Sequence, residues 1–449
     1  MKSLKSLSIS LLAAAAIPCA TASVTFSPAT PAVLDYAAPV STGLNRVYVL
    51  PNKVGTTVST PSANARWYMF TSSGAAYAVE VEESRISRGD GRSSVKLSSG
   101  DIGLVIENGT SREYYWLVDY AQHEMEISSI SPAAEQDCAR AIINVDGSAD
   151  RILYYTINGR PEELSREISV TYNTLAYDSE AETYRQEQTE ATLPYFQHMI
   201  SVPTPLCDTY FSISEDRFQR AWGIVYEVQS PWFPAVAVEA ETKAVQTPRS
   251  EDADNEQRDD QGDDSLGGSA PCEVTFTAAV TDAAIFRQWE MSRDTEFADP
   301  FNTFQDIEFT YTFTEQGTTY VRFIANNADG TCQFTGPVYS VFVGESRLEI
   351  PNAFSPGASE GVNDLWKVSY RSLVTYECHI FNRWGTRMFS STNPTEGWDG
   401  KYRGKLVPAG VYYYVIKATG ADGVKYSRSG DINIINYTSA PGVPGAATE

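Results

Sequence analysis

A chain of 449 residues with 42% hydrophobic and 20% charged side chains is globular in composition and long enough for three or four domains, which excludes a single small fold. Its formal charge of −23 repels phosphate backbones and anionic lipid heads, which argues against nucleic-acid or membrane-surface binding. Only three histidines are present, so catalysis, if any, would have to run on carboxylates, Ser/Lys or Tyr.

Residues 1–22 read as a signal peptide: Lys2 and Lys5 precede an apolar stretch from Leu7 to Ile17, and Ala20-Thr21-Ala22 supplies a small-x-small cleavage site before Ser23. That stretch is too short to span a bilayer, which takes roughly 18 apolar residues. Pro18 ahead of Cys19 argues against lipidation. No later segment reads as transmembrane, so the rest of the chain is expected to be exported.

Strand signals dominate from there on. Arg46-Val-Tyr-Val-Leu50, Arg66-Trp-Tyr-Met-Phe70, Tyr114-Tyr-Trp-Leu-Val118 and Ile152-Leu-Tyr-Tyr155 are short, aromatic and β-branched, with turn formers between them. Glu167–Tyr172 and Glu308–Thr314 alternate polar with apolar or aromatic residues, as half-buried strands do. Long helical periodicity is absent, and Pro161–Arg166 is the best candidate for one helical turn. These signals predict an all-β chain of tandem immunoglobulin-like β-sandwiches, with an immunoglobulin-like or fibronectin-like sandwich over 23–130 and a second immunoglobulin-like one over 131–246. Between 247 and 270, eight acids in Glu251–Glu256 and Asp259–Asp264 face only Arg249 and Arg258, with no aromatic residue, so a solvated acidic linker is expected. A calcium loop would space its ligands around a turn, and no D-x-[DN]-x-[DN]-G pattern occurs.

Cys272 opens the next strand, Trp289 sits in Phe286-Arg-Gln-Trp289, and Gly317–Cys332 reads as a strand closing a hairpin at Asp329-Gly330. This stretch, 271–344, resembles the PKD-type immunoglobulin-like domain, although Cys332 lies beyond the hairpin tip and not where an antibody-type bridge needs it. Five cysteines remain after cleavage, none in metal-site spacing. Pairing within domains predicts Cys138–Cys207 and Cys272–Cys332, with Cys378 reduced and buried.

The most specific signal runs from Leu348 to Tyr437. Pro351-Asn352-Ala-Phe-Ser-Pro356, Gly361-Val-Asn363-Asp364, Ile380-Phe-Asn382-Arg383-Trp384-Gly385, Gly397-Trp398-Asp399-Gly400-Lys-Tyr-Arg-Gly404, Pro408-Ala-Gly410-Val-Tyr412-Tyr-Tyr-Val415 and Ser429-Gly430-Asp-Ile432 follow in order. Residues 345–437 thus resemble the gliding motility-associated C-terminal domain, the type B sorting signal of the type IX secretion system. The resemblance implies a small C-terminal β-sandwich sorting domain whose partner is the type IX machinery, with an outer-membrane anchor as a further candidate partner. It departs from the pattern at Ser359-Glu360-Gly361 and in a trailing segment, 438–449. Trp384 and Trp398 are both large enough to fill its core. Tyr412, Tyr414 and Ile416 alternate with Tyr413, Val415 and Lys417, so both faces of that strand are largely apolar and one has room for a covering strand.

No G-x-S-x-G, P-loop or H-E-x-x-H pattern occurs, and no catalytic, cofactor or metal residue is assigned. His123 and His198 are isolated, Arg88-Gly89-Asp90 spells an adhesive tripeptide within a polar turn, and exposed aromatics could stack on sugar rings. The expectation is a secreted or surface-displayed, non-enzymatic structural, adhesive or binding protein with a surface, glycan or protein ligand that the sequence does not name. A secreted hydrolase using carboxylates in 23–246 is the competing class, and it would need a concave pocket gathering several carboxylates.

Overall fold

The computed structural model describes residues 24–28, 31–134, 136–251, 253–257, 265–356 and 364–435. The signal-peptide assignment, Asn363, the Asp259–Asp264 run and the segment 438–449 lie outside the described residues. The described chain has strands as nearly its only regular secondary structure and builds β-sandwiches in series.

In the first, the sheet of Thr25–Ser27, Thr57–Thr60, Arg92–Lys96 and Ile86–Gly89 faces a six-stranded sheet containing Arg46–Leu50, Ser111–Asp119, Ile102–Asn108 and Arg66–Phe70. Val58, Trp67, Val95, Leu104 and Leu117 fill the space between, and the Trp67 indole N–H donates to Ser93 Oγ at 3.0 Å. The six-stranded sheet is buried on its other face as well. Val47, Val49, Phe70, Trp116 and Val118 pack against Ile152, Tyr154, Leu164 and Phe218 of the next sandwich. Double-sided burial explains why Arg46–Leu50 and Tyr114–Val118 read as continuous apolar runs without alternation.

The second sandwich comprises Glu126–Pro132, Arg140–Ser148 and Met199–Pro203 against Thr183–Leu193, Ile168–Asp178, Ser212–Ser214 and Glu227–Gln229, over a core of Ile143, Val170, Ile200 and Phe211. Pro161–Leu164 is not helical but pairs with Ile152–Tyr155 as a hairpin. The one α-helix among the described residues is Arg217–Ala221, whose start is fixed by a capping box in which Asp216 accepts from Phe218 and Gln219 and the Gln219 side chain accepts from the Asp216 N–H. Sequence periodicity does not reveal five residues of helix.

The third sandwich joins Ala240–Gln246, Cys272–Val280 and Glu308–Phe313 in one sheet and Leu266–Gly268, Tyr339–Val343, Gly317–Asn326, Phe286–Ser292 and Asn302–Phe304 in the other. Trp289 is fully buried among Phe276, Phe309 and Phe323, as the PKD-like resemblance implies. Ala240–Gln246, assigned above to the second sandwich, pairs with Cys272–Val280 in full register and so belongs to the third.

The cysteine scheme is corrected here. Cys138 bonds Cys332, with Cα atoms 5.5 Å apart, while Cys207, Cys272 and Cys378 are free and buried. The Asn327 side chain and backbone hold the hairpin tip through Cys332, which brings that cysteine to the second sandwich. Pairing within domains fails because this bridge ties one sandwich to the next. Non-reducing peptide mapping is expected to recover Cys138 and Cys332 in one linked species, with the other three cysteines alkylated only after unfolding. A Cys272–Cys332 or Cys138–Cys207 peptide would refute the arrangement.

The fourth sandwich has a five-stranded sheet of Ala353–Phe354, Lys425–Ile434, Gly410–Gly420, Leu373–Phe381 and Arg387–Ser391, with two short two-stranded sheets beside it. Its core holds Trp366, Trp398, Tyr412, Ile416, Ile432 and Cys378.

Candidate functional site

The motif residues of the C-terminal module divide into those that build its core and those that shape its surface. Trp398 and Trp366 exchange backbone hydrogen bonds at 2.9 and 3.0 Å, and both rings are buried. The Trp398 indole donates to the Lys401 carbonyl at 3.0 Å and packs against Tyr412 and Phe354. Tyr412 donates its hydroxyl to the Pro408 carbonyl. Gly397 has no room for a side chain, because a Cβ would come within 2.5 Å of Lys367 and 2.9 Å of Leu365. Gly430 lies opposite Tyr414, and a Cβ there would meet the Tyr414 ring. Asn352 closes the far edge, its carbonyl accepting from the Asn433 backbone. Gly400 and Gly410 turn the chain at either side of the Lys401–Leu406 hairpin, Gly400 with φ of 70°.

Two side chains on the Trp398 loop set its charge. Asp399 accepts from the Lys401 backbone at 2.9 Å and pairs with the Lys401 ammonium at 3.0 Å. Burial pushes the Asp399 carboxyl up, but those contacts with Lys401 outweigh it and hold the carboxyl below the usual carboxylate range. At the core, burial pushes the Cys378 thiol up to about 11, against a hydrogen bond with Tyr376, so it is an inert structural thiol.

Trp384 departs from expectation. It sits at the Asn382–Thr386 turn with 73% of its surface exposed and fills no core. The Asn382 side chain accepts from the Trp384 and Thr386 amides, and Gly385 takes a positive φ of 78°. That hydrogen-bonding closes the turn locally and leaves the ring outward, with the Arg383 guanidinium 4.2 Å from its centroid. Trp366, absent from the motif set, occupies the core position instead. Its signal in the sequence is a Trp three residues beyond Asn363, between Leu365 and Val368 in a Leu-Trp-Lys-Val run.

The acidic segment is also not wholly solvated. Asn255 donates to the Val368 and Pro394 carbonyls, Gln257 donates to the Tyr370 carbonyl, and Lys367 pairs with Asp254 at 2.9 Å. Glu256, buried, accepts from Arg249 and Ser269, and the Ser269 hydroxyl accepts from the Ser372 amide. Residues 253–257 thus lie along the edge strand Ser369–Arg371, held by backbone pairing that composition does not report.

Elsewhere the isolated candidates are structural. His123 Nε2 lies 2.8 Å from Asp101, and its carbonyl accepts from Arg166. His198 Nδ1 contacts the Val145 carbonyl. In Arg88-Gly89-Asp90, the Arg88 guanidinium is bound to Glu83 and to the Ala63 and Ala65 carbonyls, so it is not offered to a partner. Lys53 is buried with its amide on Asp119 and its ammonium on the Gly100 carbonyl. Burial lowers its pKa to about 8 despite the opposing pull of Asp119 and Asp101. The grooves at Ile285–Gln288, at Pro28–Thr56 and at Thr375–Ser427 hold at most one carboxylate each.

Comparison with known proteins agrees with this geometry. Residues 348–434 match the CHU_C type IX secretion signal domain. Residues 129–230 match a fibronectin type III domain of the Fn3_FA type. The chain therefore carries a type IX sorting signal at its C-terminal side, preceded by fibronectin- and immunoglobulin-like sandwiches, and that signal implies export to the cell surface or beyond it. No curated protein matches the chain significantly. Similar solved structures include the tetra-tandem repeat in the extending region of a large adhesion protein, at 12% identity over 87% of this chain and 98% of that one, TM-score 0.21. Another is the Ca2+-stabilised adhesin that helps an Antarctic bacterium reach out and bind ice, at 10% identity over 90% and 98%, TM-score 0.19. The fibronectin(III)-like modules of Clostridium thermocellum CbhA share 13% identity over 39% of this chain and 93% of theirs, TM-score 0.18. No described helix is long and apolar enough to cross a membrane.

Proposed function

We propose that this chain is a non-enzymatic binding or adhesive protein, delivered to the cell surface by the type IX machinery, with residues 24–343 as cargo and 345–435 as the address. One observation carries the reading: neighbouring sandwiches of the cargo are locked to one another. The first two share a core built on Trp116 and Phe218, and the Cys138–Cys332 bridge fastens the second to the third. Such a series holds outward surfaces in fixed relation, which suits display of a ligand-binding face to another surface, a glycan or a protein. Charge is segregated in the same way, since 345–449 carries as many basic as acidic residues to within one and the acidity lies in the cargo.

Removing Leu348–Glu449 is expected to leave the N-terminal leader processed and the cargo trapped in the periplasm. Fractionation in a host with a working type IX system decides it. Surface delivery of the truncated chain at the full-length level would reduce 345–435 to one more sandwich of the series.

A further inference from the structure

We infer that the solvent-facing side of the five-stranded sheet in the sorting module, continued by Trp384, docks a protein partner presenting an apolar groove with an acidic rim. The inference rests on the reading of this module as an export signal and names the face that is read. Along Gly410–Gly420, Tyr412, Ile416 and Ala418 point into the core, while Val411, Tyr413 and Val415 face outward at 45%, 46% and 38% exposure. No described strand or loop covers them, although the sequence left room for a cover. Phe381 lies directly opposite Tyr413 on the neighbouring strand and leads into the Trp384 turn, so the apolar strip is continuous from sheet to turn. Aromatic residues with arginine at the margin are the composition of the buried centre of protein interfaces.

The margin supplies the charge argument. Arg383 lies over the Trp384 ring, and Arg387 pairs in register with Phe381. Among the described residues neither has a carboxylate partner, whereas Arg347 of the same module pairs with Glu349 at 2.8 Å. Cations left unneutralised beside an exposed apolar strip call for carboxylates on the other side of the interface. An anionic lipid surface, negative over its whole extent, fits less well, because Asp431 lies opposite Tyr413 and Glu377 opposite Lys417 on the same face, whereas a protein can confine its carboxylates to the Arg383 and Arg387 end. The turn is also prepared for binding: the two amide bonds to Asn382 fix the backbone that carries the ring, so docking orders little that is not already ordered.

The test uses the full chain in a host with a working type IX system. Trp384→Ala with Tyr413→Ser, and separately Arg383→Glu with Arg387→Glu, are each expected to lower the exported fraction at least about tenfold while the melting profile of the purified protein stays that of the wild type. Export of both double variants at the wild-type level, with the Leu348–Glu449 deletion retained in the periplasm, overturns the inference and leaves the sorting assignment standing. Export of the deletion itself overturns the assignment on which the inference rests. Two further outcomes count against a separate protein partner: flotation of the purified chain with phosphatidylglycerol vesicles, or its self-association on size exclusion, in either case abolished by the same substitutions.

Discussion

Trp398→Ala is expected to destabilise the C-terminal module by about 3–5 kcal/mol and to lower export, whereas Trp384→Ala leaves the module's stability nearly unchanged. The Trp398 ring is 1% exposed, packs on Tyr412 at 5.2 Å and Phe354 at 5.6 Å between centroids, and donates its indole N–H to the Lys401 carbonyl. Truncating a buried tryptophan costs about 3–5 kcal/mol through lost burial and the cavity left behind. A module of this size has only about 5–10 kcal/mol of stability, so much of it goes at once. Trp384 buries little, and an exposed substitution of that kind changes stability by about 0.5 kcal/mol or less. Two tryptophans fourteen positions apart in one motif set thus fail in different ways: one by losing much of the module's stability, the other by losing only what the ring touches outside the chain. Thermal unfolding of the full-length protein separates them. A Trp398→Ala protein whose C-terminal transition stayed at the wild-type temperature would contradict the packing described here.

The sequence carried the strand content, the sandwiches and the ordered blocks of the sorting module, because period-two alternation and turn residues are local signals. Trp289 is placed in a core by the PKD-like resemblance and not by alternation. What remained illegible depends on contacts between distant segments. Trp384 and Trp398 are equally large and equally flanked by glycine, and only the Asn382 hydrogen bonds to the following amides turn the first of them outward. Cys138 and Cys332 are 194 positions apart and belong to different sandwiches, so no rule of pairing within a domain finds them. The order of 253–257 comes from backbone bonds to Tyr370 and from the Arg249–Glu256 pair, which an acidic composition conceals. Pro161–Leu164 carries two glutamates and a leucine, as a helix start would, yet it is a strand because Ile152–Tyr155 offers it a partner. The sorting site was the most legible part, since its glycines and aromatics are set by tight local geometry. Which face of it remains open was not, because burial of a strand's second side depends on whether another element arrives.

The junction of the first two sandwiches provides the other large effect. Asp216→Ala is expected to destabilise the protein by about 3–5 kcal/mol. Arg166 and Asp216 form an ion pair at 2.6 Å, with side chains 1% and 0% exposed. Arg166 also donates to the Asp150 and His123 carbonyls, and Tyr120 donates its hydroxyl to Asp216 at 3.0 Å. The same carboxylate caps the helix Arg217–Ala221 through the Phe218 and Gln219 amides. Removing it leaves a guanidinium buried without its counter-charge, a phenol without its acceptor and a helix without its cap, the last costing about 1 kcal/mol by itself. Because Tyr120 and His123 close the first sandwich while Asp150, Arg166 and Asp216 belong to the second, both should lose stability together. Asp216→Asn keeps an acceptor oxygen for the Phe218 and Gln219 amides but loses the one that serves Tyr120 and Arg166, and is expected to lose less than the alanine variant. Arg166→Met combined with Asp216→Leu removes both charges and should recover part of the loss, the remainder reflecting the missing cap and the unpaired Asp150 and His123 carbonyls. Urea unfolding of these proteins, with Arg166→Met and Asp216→Leu made singly to complete the cycle, measures the coupling. A loss below about 1 kcal/mol for Asp216→Ala would show that water reaches the pair and that the network does not bind the two sandwiches together.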